Sequence, residues 1–151
     1  MNENLQELYQ SVILDHNKNP RNFKKLEFPT HHIEGFNPLC GDHLWLYLNV
    51  KDDVIVDISF EGQGCAISKA SASMMTEALK GKNVADAQNI FNEMHALLTH
   101  KLDPDKTPHH LGKLQLFSGV WKYPARVKCA ILPWRSLSEA LSGTNTVIKT
   151  E

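Results

Sequence analysis

The stretch Gly62-Gln63-Gly64-Cys65-Ala66-Ile67-Ser68-Lys69-Ala70-Ser71-Ala72-Ser73-Met74-Met75 decides how this sequence folds. Two glycines lead into a cysteine, and small residues with apolar ones at helical spacing follow it. The pattern predicts a strand that ends, a tight turn, and a helix that opens on the thiol, since glycine takes backbone angles closed to other residues. A helix start sets unpaired N–H groups and a positive dipole end beside Cys65. That setting favours the thiolate, the form that attacks sulfur and binds metal.

Upstream of this stretch, residues 54–60 read as a strand, with Val54, Val56, Ile58 and Phe60 alternating with Ile55, Asp57, Ser59 and Glu61. One face is then buried and the other partly wet. Lys51-Asp52-Asp53 supplies a hairpin turn, and residues 44–50 form the partner strand. Before the hairpin stands Asn37-Pro38-Leu39-Cys40-Gly41-Asp42. Gly41 keeps that turn tight, so a thiol and a carboxylate two residues apart can face one point, and both are zinc ligands. Taken alone, Cys-Gly-Asp reads equally as an ordinary turn. An antiparallel hairpin brings its two ends together, so Cys40, Asp42 and Cys65 are expected at one end of the sheet. Alternation sends His43 to the side opposite Asp42. Residues 30–37, between Pro29 and Pro38, read as a short edge strand.

Downstream, the helix after Cys65 is expected to bury Ile67, Ala70, Met74, Ala78 and Leu79 and to stop at Gly81. A second helix opens at Asn83 as N-cap, with Val84, Ala87, Phe91, Met94 and Leu98 as its stripe. Residues 99–110 read as an exposed loop and 111–120 as a helical turn or short helix. The last helix starts near Pro124 and stops at Gly143. Arg126 and Cys129, three apart, share a face of it, which predicts a cation beside that thiolate. Pro133 predicts a kink or break just after Cys129, because its ring collides with the carbonyl four residues back. The tail from Thr144 is expected to fray. At the other end, residues 4–16 form an amphipathic helix through Leu5, Leu8, Tyr9, Val12 and Ile13. Lys18-Asn19-Pro20-Arg21-Asn22 breaks it, and with Asp15 and His16 this charged corner reads as a solvated helix end.

The totals bound the function. With 151 residues, a single domain over 1–151 is expected. Hydrophobic residues at 42% and charged ones at 22% suit a soluble globular protein. A net charge of −1 offers no basic field for nucleic acid. No apolar run approaches the ~20 residues of a membrane span. The opening Met1-Asn2-Glu3-Asn4 has no apolar h-region, so a cytoplasmic location is expected. The 3 cysteines, Cys40, Cys65 and Cys129, are an odd number that argues against a disulfide framework. A metal site or a reactive thiol suits them better, against the bland reading of three small buried hydrophobes. The 8 histidines include His31-His32 and His109-His110, for which surface positions are favoured. A purely structural zinc module usually offers a close Cys-x-x-Cys pair, and none is present. A cysteine hydrolase needs a histidine base near a thiolate, and the spacing ties no histidine to Cys40 or Cys65.

Three of these stretches resemble the IscU/NifU-like proteins of iron–sulfur cluster assembly: Asn37 to Asp42, Gly62 to Ser68 with Ala70-Ser71-Ala72-Ser73, and Val127-Lys128-Cys129. Val12-Ile13-Leu14-Asp15-His16 with Lys18 to Asn22 matches as well, and the likeness runs over roughly residues 5–141. Lys128 stands where the IscU branch carries a histidine just before its third cysteine. The loop near 99–118 accommodates the insertion of about twenty residues that marks the SufU branch. Residues 119–130 look like the SufU pattern, while Pro133 departs from the family's usual residue. The resemblance implies a SufE/NifU-like α+β fold, a small antiparallel sheet of about three strands covered on one side by helices. It implies one zinc ion held by Cys40, Asp42, Cys65 and Cys129. It further implies a zinc-dependent acceptor and relay of persulfide sulfur for a SufS-type pyridoxal-phosphate cysteine desulfurase. In that reading Cys40 is the acceptor, Arg126 a supporting residue, and downstream Suf cluster-assembly proteins the recipients. Such a chain is a sulfurtransferase-like partner rather than a stand-alone enzyme. The alternative within the family is a scaffold on which an iron–sulfur cluster is assembled and transferred, with Cys40, Cys65 and Cys129 as cluster ligands.

Overall fold

The computed structural model describes residues 3–143 and 148–149. In chain order they form helix α1 (Glu3–Lys18), strands β1 (His31–Asn37), β2 (Asp42–Lys51) and β3 (Val54–Gln63), and helices α2 (Ala66–Leu79) and α3 (Val84–Leu98). A 3-10 run (Gly112–Lys122), helix α4 (Pro124–Leu141) and a two-residue strand β4 (Ile148–Lys149) follow. The sheet order is β3-β2-β1-β4. The first three strands are antiparallel, as expected. β4 adds a short parallel pairing to Gly35 and Phe36, so the strand expected at the edge has a neighbour there. Of the tail expected to fray, these two residues are paired; 144–147 and 150–151 lie outside the described residues. No described helix is long and apolar enough to cross a membrane.

The β2–β3 hairpin turns on Asp52 and Asp53, both with positive φ (53° and 62°). Two such residues between paired strands make the turn whose twist matches the strands. Strict alternation along β3 does not survive. Pairing jumps from Val50–Ile55 to Asn49–Asp57, which leaves Val56 as an extra residue. A bulge of this kind moves side chains to the other face. Ile55, Ile58 and Phe60 are buried, whereas Val56 is 46% exposed.

Helix α2 is the centre of the molecule, packed by α1, α4 and β3. Its Ser68, Ala70, Ser71, Ala72 and Ser73 are all buried. Small side chains let neighbouring backbones approach, and the serine hydroxyls then need partners. Ser71 Oγ donates to the Ala130 carbonyl at 2.6 Å and accepts from Trp134 Nε1 at 3.2 Å. Ser73 Oγ is 2.7 Å from His16 Nδ1 and accepts the Arg21 N–H at 2.8 Å. Asn22 Nδ2 donates to Thr76 Oγ1 at 3.1 Å. The corner after α1 is therefore docked on α2 rather than solvated, and His16 is buried. Tyr9, Ile13 and His16 form the buried stripe of α1, with Leu8 turned out at 50% exposure. Asn83 caps α3 by accepting the Asp86 N–H at 2.7 Å, as expected.

The break expected after Cys129 does not form: α4 runs without interruption to Leu141 through Pro133. Residues 129–134 are all buried. Packing on α2 and β1 holds the helix although proline offers the Cys129 carbonyl no N–H. Gly143 stops it with φ of 86°.

Candidate metal centre

The open end of the hairpin carries the site. Asp42 begins β2 and is wholly buried. Its Oδ1 accepts the backbone N–H of Cys65 at 2.7 Å, which ties the β3–α2 turn to the start of β2. Gly64 has φ of 150°, and a Cβ there would lie 2.2 Å from Asp42 Oδ1. The glycine before the cysteine is thus required by the carboxylate that fills its space.

Asn37 ends β1, is fully buried, and organises the other side. Its Nδ2 donates to Asp42 Oδ2 at 3.3 Å and lies 3.6 Å from Cys129 Sγ. Its Oδ1 accepts the Leu39 N–H at 3.3 Å, a side-chain turn that folds residues 38–41 back on the strand. That turn presents Cys40, closed by a Gly41 N–H to Asn37 carbonyl bond of 2.9 Å. Cys129, buried on α4, donates to Cys40 Sγ at 3.3 Å. The ligand atoms of Cys40, Asp42 and Cys129 lie within 4.8 Å of one another, a group that could hold a metal ion. Cys65 borders this trio through Asp42: its Sγ is 3.8 Å from Asp42 Oδ2. The same sulfur caps α2 by accepting the Ser68 N–H at 3.4 Å.

The thiols share protons unequally. The hydrogen bond from Cys129, helped by the Ser68 N–H, pushes the Cys65 thiol down to about 7 against its burial. Cys129 moves the opposite way, raised by its bond to Cys65 and by burial. Cys65 is therefore the more readily ionised of the two, in the direction that the helix start predicts.

Arg126 and Cys129 differ in burial. Arg126 is exposed, and its guanidinium sits 4.4 Å from the Tyr123 ring centre. The helix turn that puts Cys129 inward faces Arg126 outward. Lys128 is half-buried. His43 lies across the strand from Asp42 as expected, paired with Glu34 and stacked on Trp45 at 4.1 Å. Asn37 is the functional residue that spacing arguments passed over. An Asn-Pro pair at a strand end, two residues before a thiol, is the signal that marks such a side-chain turn.

A hairpin that gathers thiols and a buried carboxylate at its open end, with no histidine in the group, defines a metal- or sulfur-handling protein. Among the described residues, no histidine hydrogen-bonds to any of the three cysteines. The family model for the NifU-like N terminal domain matches residues 8–130, and the chain belongs to that family, whose relatives serve iron–sulfur cluster assembly. It is 41% identical to the zinc-dependent sulfurtransferase SufU of Bacillus subtilis, over 93% of this chain and 94% of the relative. It is 37% identical to the iron–sulfur cluster assembly scaffold protein IscU of Streptococcus pyogenes, over 91% of this chain and 84% of the relative. Among solved structures, a SUF-system scaffold protein of Fervidobacterium islandicum superposes with a TM-score of 0.81 at 37% identity, covering 90% of this chain and 98% of that one. The resemblance to the SufU branch and the α+β fold it implies are both borne out.

Proposed function

We propose that this chain accepts persulfide sulfur on Cys40 from a SufS-type cysteine desulfurase and passes it to downstream Suf proteins. One observation carries the reading. Three cysteines meet at one site, yet Cys40 is exposed while Cys65 is half-buried and Cys129 buried. Only the first offers its sulfur to another protein's active site. A Cβ on Gly41 would meet nothing within 4 Å, so the turn that bears Cys40 has room to swing. The B. subtilis relative's description as a zinc-dependent sulfurtransferase supports the same reading.

The donors fit zinc: three sulfurs and one carboxylate oxygen are an accepted tetrahedral set, with the Asn37 amide behind them as an outer hydrogen-bond donor. Cys40, Asp42, Cys65 and Cys129 would hold the ion, which when bound keeps thiols ionised and blunts their nucleophilicity. In the transfer, the Cys40 thiolate attacks the outer sulfur of the donor persulfide. A sulfur–sulfur bond forms at Cys40, the donor's breaks, and the donor cysteine leaves as thiolate, so no net oxidant is needed. Asp42 keeps the Cys65 turn in place while Cys40 moves. Arg126, exposed on the first turn of α4, supports the negative charge or meets the partner.

Metal content after anaerobic purification, with desulfurase turnover measured with and without the chain, tests this. One tightly held zinc and a strong rise in turnover support the relay. A bound iron–sulfur cluster with little effect on turnover would instead make the chain a scaffold. Cys40→Ala is expected to abolish the rise while circular dichroism stays unchanged; a fully active variant would sink the assignment.

A further inference from the structure

The sheet has a second face, and at the metal-centre end it is aromatic. Asn37 and Asp42 turn inward to the site, so their neighbours Phe36 and His43 stand on the opposite face. These two are direct cross-strand partners with ring centres 5.4 Å apart. His43 in turn stacks on Trp45 at 4.1 Å and 17°. His43 thus covers one face of the indole, yet Trp45 remains 37% exposed. In the turn between β1 and β2, Leu39 is 65% exposed next to the exposed Cys40. A protein that reaches the Cys40 sulfur is therefore brought against this aromatic row.

Both strand partners of Trp45 are acidic: Glu34 on β1 and Glu61 on β3. Direct partners share a face, and neighbouring strands lie about 4.8 Å apart, so the indole has a carboxylate on either side. His43 pairs with one oxygen of Glu34, and the Tyr47 hydroxyl donates to one oxygen of Glu61 at 2.8 Å. Those bonds hold each carboxylate beside the ring through a single oxygen. An indole face attracts a cation, and flanking carboxylates add to the pull. A planar guanidinium can lie on the ring while its in-plane N–H groups reach to both sides; a lysine ammonium, a point charge, does not match both at once. Small ligands are held in concave sites, whereas an aromatic row on a sheet face has the make-up of a protein interface.

We propose that this face docks an arginine side chain presented by the sulfur donor protein at the rim of its active site. Naming that partner rests on the sulfur-relay reading; the arginine chemistry does not.

Two measurements on the zinc-loaded full chain test it. In the first, the indole N–H resonances are followed by nuclear magnetic resonance during titration with a capped alanine–arginine–alanine peptide and its uncharged citrulline analogue. The arginine peptide is expected to shift Trp45 and the citrulline peptide to leave it in place. Trp121, stacked on His100, and Trp134, bonded to Ser71, are expected to stay fixed with both. In the second, calorimetry measures binding to a SufS-type desulfurase. Trp45→Leu and the double variant Glu34→Gln with Glu61→Gln are each expected to raise Kd roughly tenfold, and Trp45→Phe, which keeps a ring, only about threefold. Zinc content and circular dichroism are expected to match the parent in all three. Equal shifts with both peptides, no shift at Trp45, or a parent-like Kd for Trp45→Leu would overturn the proposal. So would self-association of the parent that Trp45→Leu abolishes, which would put a second copy on this face. A desulfurase whose turnover ignores the parent chain would sink the relay instead, and the peptide titration does not depend on that result.

Discussion

At the scale of single residues, the site depends on side chains that do two jobs. Asp42 offers one oxygen to the Cys65 N–H and the other to Asn37 and the Cys65 sulfur. Asn37 in turn positions the carboxylate, faces Cys129 and shapes the Cys40 turn. Removing such an outer donor typically weakens metal binding about 10–100-fold. Asn37→Ala is therefore expected to lower zinc affinity by roughly that factor, read by competition with a chromogenic chelator. Unchanged affinity would show that Asn37 serves the turn alone. The cysteines and Asp42 were legible as residue types because thiolates and carboxylates are recognisable ligands. Asn37 was not, because an amide earns its role only from what surrounds it.

At the scale of elements, α2 is a helix whose buried surface is built from small polar residues. The stripe Ile67, Ala70, Met74, Ala78 and Leu79 suggested one apolar face. Instead Ser68, Ser71, Ser73 and Thr76 are buried too, and the hydroxyls of Ser71, Ser73 and Thr76 each have a hydrogen-bond partner. Ser73→Ala would leave buried His16 and the Arg21 N–H without their shared oxygen. A loss of about 1–3 kcal/mol in unfolding free energy is expected, read by urea denaturation. A change below about 0.5 kcal/mol, the level of ordinary surface substitutions, would mean the docked corner contributes little. The Val56 bulge and the uninterrupted α4 belong to this scale as well. Local rules expected alternation in one and a break in the other, and packing of whole elements overrode both.

At the scale of the whole molecule, burial of His16 couples folding to pH. Desolvation, then the nearby Arg21 charge, holds the His16 pKa below its ordinary 6.5. Desolvation likewise lowers His95, with Arg135 and Lys101 adding to it. The unfolded chain thus binds protons on these rings before the folded chain does. Their stabilising effect is complete above the unfolded value of 6.5 and is lost as pH falls from there through the lower folded values. The urea midpoint is expected to drop between pH 7.5 and 5.5, less steeply in His16→Asn. An identical pH slope in parent and variant would remove His16 from the account.

What the sequence determined by itself was local chemistry and its order along the chain. Glycine turns, the Asp52-Asp53 reversal, the Asn83 cap and the Pro124 and Gly143 helix limits follow from backbone preferences of a few neighbouring residues. The hairpin also placed Cys40, Asp42 and Cys65 at one end, because antiparallel pairing leaves no other arrangement. Tertiary structure alone decided the rest. It set Arg126 over Tyr123, buried His16 against Ser73, and kept α4 intact through Pro133. It also seated a carboxylate where Gly64 has no side chain. Each of these turns on contacts between residues far apart in the chain, whose energies exceed the local preferences that a stretch of sequence expresses.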